Sequence, residues 1–174
     1  MKKTLVTLLV GAFLGILAGC APEAAGPSAT TPLVPAEEPA GGRYTYITVI
    51  ADTHVEEADG SAANHLRALG QNLVALPYDP EGVFVLGDVT YEIDYTTWEE
   101  YEADPADGFD VAQQIFETFP APVWPLIGNH DLDVGDLPQD LTHRLFKKHF
   151  GTDPNYAVDL GTWKVLLLDN FAGP

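Results

Sequence analysis

Cysteine is nearly absent from this chain. Of 174 residues only Cys20 carries a thiol, which excludes an internal disulfide framework and any C-x-x-C zinc or redox site. Basic residues are scarce as well: 8 Lys and Arg stand against 26 Asp and Glu, for a formal charge of −18. A surface of that sign repels nucleic acid and anionic headgroups, so no nucleic-acid binding is expected. Phosphate groups are still accessible to such a protein where metal ions invert the local charge. With thiols gone, a metal site has only His, Asp, Glu and Asn to draw on. The chain also lacks an internal repeat and an apolar run of the about 20 residues that crossing a bilayer requires. What it does have is 46% apolar residues, enough for a packed globular core.

The longest apolar run, Leu5 to Ala18, follows the positive Met1-Lys2-Lys3. That order is the n-region and h-region of an export signal. The run ends in Leu17-Ala18-Gly19-Cys20, which resembles the bacterial lipoprotein box, where small residues precede a cysteine that accepts a lipid. Three segments are therefore expected: residues 1–19 as a signal peptide, 20–42 as the lipidated Cys20 with a Pro/Ala-rich tether, and 43–174 as the folded domain. The domain would sit outside the cytoplasm, lipid-anchored to a bacterial cell membrane. The tether has no basic residue and too little apolar bulk to form a core.

Within the domain, Arg43 to Ile50 is rich in β-branched and aromatic residues and predicts a strand. Leu66, Leu69, Leu73 and Leu76 predict an amphipathic helix over 61–76, with Ser61 as N-cap. Val83 to Leu86 predicts a strand buried on both faces. A helical turn over 97–101, a helix over 110–119, a strand over 122–127 and a helix over 139–150 ended by Gly151 follow. A hairpin of 156–160 and 163–168, turning at Gly161-Thr162, closes the series. Alternation of strand and helix predicts an α/β fold with a βαβαβ core and a parallel sheet. Trp124 and Trp163 are expected in the core. His65, and the basic group of His143, Arg144, Lys147, Lys148 and His149, are expected on solvated helix faces. Trp98, Tyr95 and Tyr101 could line a substrate rim.

Polar clusters follow the first three strands: Asp52-Thr53-His54, Gly87-Asp88 and Gly128-Asn129-His130-Asp131. Loops beyond the carboxyl ends of adjacent parallel strands converge on one crevice. The residue types suit divalent ions. Asp52 and His54 can reach one ion, a carboxylate such as Asp88 can bridge two, and Asn129 supplies a neutral oxygen. Mixed N/O donors favour Zn, Mn or Fe over Ca. Gly87 and Gly128 let the backbone turn sharply out of the sheet.

D-x-H, G-D and G-N-H-D, each closing an apolar strand, resemble the calcineurin-like metallophosphoesterases over about residues 44–170. The resemblance implies the N-terminal half of an α/β/β/α sandwich and two divalent or trivalent ions (Mn, Fe or Zn). By the same resemblance, Asp52, His54, Asp88 and Asn129 would hold metal, with Asp88 bridging. His130 would serve as general acid or phosphoryl hydrogen-bond donor, and Asp131 would orient it. The implied reaction is two-metal hydrolysis of a phosphomonoester or phosphodiester. The family's later motifs, a His after a further strand and a G-H-x-H loop, do not occur in these 174 residues. The chain is therefore expected to be the N-terminal part of a longer enzyme and inactive by itself. The alternative is a non-catalytic, lipid-anchored module that binds metal or a partner. Tyr91, three residues past Asp88, gives a G-D-x-x-Y pattern like that of purple acid phosphatases, where the Tyr is a ligand; packing beside the site is the other reading.

Overall fold

The computed structural model describes residues 45–91, 97–103, 108–132 and 139–169. Residues 1–19, Cys20, the 20–42 tether and Tyr95 lie outside them. Three strands, β1 (Ile47–Ile50), β2 (Gly82–Val85) and β3 (Val123–Pro125), form a parallel sheet in that order. The register pairs Ile50 with Val85 and Val85 with Pro125, so the three strands end level with one another. Central β2 is buried along its whole length, as its unbroken apolar sequence predicts.

The period of two along β2 divides the core. Val83 and Val85 face a layer built from α1 (Ser61–Val74), α3 (Gly108–Phe116) and α5 (Gln139–Phe150). Leu66, Leu73, Phe109, Ala112, Ile115, Leu141, Leu145 and Phe146 fill that side. Phe84 points the other way, into a smaller cluster with Val49, Val158, Leu160 and Leu167. There the antiparallel hairpin of β4 (Tyr156–Leu160) and β5 (Trp163–Leu167) packs across the sheet. The Tyr156 hydroxyl donates to the Pro125 carbonyl at 2.6 Å and pins the hairpin to β3. The result is helix layer, sheet, hairpin. Gly82 is obligatory here, because a Cβ would lie 1.8 Å from the Trp124 ring.

Two short helices complete the chain, α2 (Trp98–Ala103) and α4 (Asn129–Leu132). A capping box starts α2: Thr97 N–H donates to Glu100 Oε2 and Glu100 N–H donates to Thr97 Oγ1, both at 3.2 Å. Gly151 ends α5 at φ 69° and donates its N–H to the Lys147 carbonyl.

Four expectations are corrected. Ser61 is not the N-cap of α1; extended Gly60 is, and no side chain caps the helix. Trp163 is 48% exposed, on the open side of the hairpin. Tyr101 is fully buried, so it lines no rim. The basic face of α5 is only in part the solvated face expected: Arg144, Lys147 and Lys148 are exposed, but most of the group is engaged by other residues. Arg144 lies 3.5 Å from the Trp98 ring centre and Lys148 4.0 Å from that of Tyr101. His149 is buried against Phe109, Phe150 and Tyr101, and His143 Nε2 meets the buried Asp169 carboxylate at 2.9 Å. The cause is α2, whose aromatic rings offer faces to the cations of α5. His65 is exposed, as expected.

Candidate metal centre

The site forms where β1, β2 and β3 end. Past β1 and β2 the two chains stay side by side: Asp52 N–H donates to the Gly87 carbonyl, His54 N–H to Asp88 and Val55 N–H to Val89. The Thr53 hydroxyl adds a bond to the Val89 carbonyl at 2.9 Å. These bonds turn successive side chains out of the sheet and toward one another. They also force an uncommon backbone. Among the described residues, the non-glycine positions at positive φ are Asp52 (55°), His54 (44°) and Asp88 (50°), all of them in this site. Side-chain residues rarely adopt that conformation without a functional reason.

The glycines of the motifs make the loops fit. Gly87 sits at φ 83°, and a Cβ there would lie 2.7 Å from Gly128 Cα. A Cβ on Gly128 would lie 2.2 Å from Asp88 Oδ1. Any larger residue would push the second loop off the third.

His54, Asp88 and His130 each offer a ligand atom, and these atoms lie within 4.8 Å of one another. Asp88 is buried, and its Oδ1 accepts the His130 backbone N–H at 2.9 Å. His54 Nδ1 is buried with no hydrogen-bond partner. A buried, unpaired imidazole nitrogen beside a buried carboxylate is costly unless something positive binds there. This donor set of nitrogen and oxygen therefore fits a metal ion of the Zn, Mn or Fe type. Asp52 stands at the solvent edge, its Oδ1 3.9 Å from His54 Nε2 and its side chain 60% exposed. Asn129 opens α4 with an exposed side chain, one residue before His130.

Asp131 differs most from its expected part. Its carboxylate is fully buried and accepts backbone N–H bonds from Thr90 and Gly128, both at 2.8 Å. It ties the loop after β2 to the loop after β3; it does not hold the His130 ring. Burial pushes its carboxyl up to about 7, against the backbone donors of Thr90, Gly128 and Val89 and with a smaller push from the Asp88 charge. The His130 ring instead contacts two other rings. It meets His54 edge-on at 4.9 Å and lies nearly parallel to Tyr91 at 5.0 Å. Thr53 was not singled out in the sequence, although a short hydroxyl between two potential ligands is the signal that could have found it.

Beside the cluster, a cleft of about 660 Å³ runs between the end of β1 and α1. Asp52, Thr53, His54, Ser61, His65, Leu66 and Leu69 are among the residues that line it.

Three strand-end loops, folded onto one another to aim carboxylate and imidazole donors at one point, form a candidate metal-binding site at the carboxyl edge of the sheet. The family model for calcineurin-like phosphoesterases matches residues 45–171, and the chain belongs to that family. Its members hydrolyse phosphoesters with the help of metal ions. A comparison with curated proteins finds no match.

Proposed function

We propose that this chain carries the metal-holding face of a dinuclear phosphoester hydrolase, with phosphomonoesters or phosphodiesters as substrates. The observation that carries the reading is the convergence of His54, Asp88 and His130 within 4.8 Å on loops held in left-handed backbone. His54 and Asp88 would hold metal at the centre, with Asp88 contributing to both ions, and Asp52 and Asn129 would complete the set from the solvent edge. Metal held by these residues would supply Lewis-acid chemistry: polarisation of the phosphoryl group and activation of water. It would also supply the positive charge that an acidic protein lacks for an anionic ester.

The chain's own residues do the rest. His130 carries its ring at the mouth of the cluster and gives a proton to the leaving oxygen, or a hydrogen bond to the phosphoryl group. Its backbone is fixed by the N–H bond to Asp88 Oδ1. Asp131 keeps the loops after β2 and β3 in register, so the proton donor and the ligands keep their relative positions. The export signal and Cys20 support a location outside the cytoplasm, with a lipid anchor tethering the domain to a membrane.

The test begins with metal. Titration with Mn²⁺ or Zn²⁺ of a protein that carries this chain together with the family's later His motifs should show two ions per molecule, and Asp88→Ala should lose both. Binding of one ion would reduce the centre to a mononuclear one; no saturable binding would sink the reading. Hydrolysis of p-nitrophenyl phosphate and its bis ester then assigns the ester class. In His130→Ala, turnover should fall by about 10²–10⁴-fold with metal content retained. Loss of metal in that variant would make His130 a ligand instead.

A further inference from the structure

We infer that Tyr91 is the positioning residue for His130, acting through the face of its ring and not through its hydroxyl. The inference rests on the proposed part of His130 in hydrolysis. Among the described residues, the His130 imidazole makes ring contacts and no hydrogen bond; its backbone N–H is bonded to Asp88, but that bond does not fix the side-chain torsions. The carboxylate expected to orient it, Asp131, spends its two oxygens on Thr90 and Gly128.

Tyr91 fills that gap. Its ring lies 5.0 Å from His130 at 17° between planes, within the range of offset stacking, and meets the His54 ring edge-on at 5.4 Å and 63°. The His54 and His130 rings stand at 77° to each other. Three rings thus form a corner in which His130 is held by an edge contact from His54 and a face contact from Tyr91. Tyr91 follows directly on Thr90, whose N–H is bonded to buried Asp131, so the stacking ring grows from a fixed point. A stacked neighbour restricts the imidazole to one orientation before ligand arrives, which is how a supporting residue lowers the cost of binding at a shared centre.

Two variants of the full chain test this, Tyr91→Leu and Tyr91→Phe, read by side-chain NMR of the His130 ring in the metal-free protein and by titration of the Zn²⁺-loaded protein with inorganic phosphate. In Tyr91→Leu the His130 ring should gain motion and phosphate affinity should fall about three- to tenfold, the scale of one aromatic stacking contact. Tyr91→Phe should match the parent in both. If Tyr91→Leu leaves ring motion and affinity unchanged, Tyr91 positions nothing. If Tyr91→Phe is as impaired as Tyr91→Leu, the hydroxyl does the work, as ligand or donor, and the inference fails. Neither readout needs turnover. A chain that shows the Leu/Phe split but hydrolyses no ester would overturn the hydrolase reading and leave the positioning of His130 standing.

Discussion

On the helix-covered face of the sheet, Phe109, Leu145 and Phe146 are fully buried within one large cluster of apolar side chains. At the carboxyl edge of the same sheet, a few residues away, Asp52, His54 and Asp88 sit at positive φ, and Asp88 and Asp131 are buried carboxylates. The first region gains free energy with each group removed from water. The second gives some of it back, in backbone strain and in desolvated charge. The difference shows how a small domain of this kind can support a site. Stability is gathered where the chemistry is not, and the sheet transmits it as rigidity to loops that would not hold their shape unaided.

The comparison breaks most visibly from the stable side. Phe146→Ala should cost about 4 kcal/mol of folding free energy, since it leaves a void among Phe109, Phe150 and the helices. Urea denaturation measures it, and a loss under about 1 kcal/mol would mean that the helix layer is not the main source of stability.

A smaller effect comes from the buried carboxyl. In the folded chain the Asp131 carboxyl is raised from 3.8 to about 7. The folded state therefore holds this proton more tightly than the unfolded state does. Its contribution is fully present below about pH 4 and is lost as the pH rises through 7, by about 3 to 4 kcal/mol in the metal-free protein. Asp131→Asn removes the titration. The stability of the variant relative to the parent should improve by that amount between pH 4 and pH 7.5. A difference that stays flat with pH would show that Asp131 titrates alike in both states.

The smallest effect has the opposite sign and sharpens the contrast. His54→Gly relieves a left-handed residue, worth about 1–2 kcal/mol, less the about 0.5–1 kcal/mol of added chain entropy that glycine must lose. The metal-free variant should be more stable than the parent by about 0.5–1 kcal/mol, while its metal affinity drops at least about tenfold. A variant that is both weaker in metal binding and less stable would show that the strain at His54 is not where the site stores its cost.

Much of this was legible in the residues. The succession of elements along the chain and the helix faces followed from periodicity, because Leu66 and Leu73, or Leu141 and Leu145, fall on one side of a helix whatever they later touch. The glycines of G-D and G-N-H-D signalled tight loops, and the structure gives each a neighbour that a Cβ would strike. Other features were not legible. The cations of α5 read as a solvated face because nothing local reveals that Trp98 and Tyr101 dock against them. Trp163 read as core because size and apolarity do not say which side of a hairpin is covered.

The sequence by itself determined the alternating α/β order, the three polar loops after the strands, and the donor types available to a metal. These depend on local spacing and on the chemistry of single side chains. Only the tertiary structure decided which donors meet, that Asp131 staples backbone while Tyr91 stacks on His130, and that the loops carry left-handed strain. Those outcomes depend on distances between segments some 35 to 42 residues apart, such as Thr53 to Asp88 and Asp88 to His130. Such distances are set by the register of the sheet and the packing of the core beneath it.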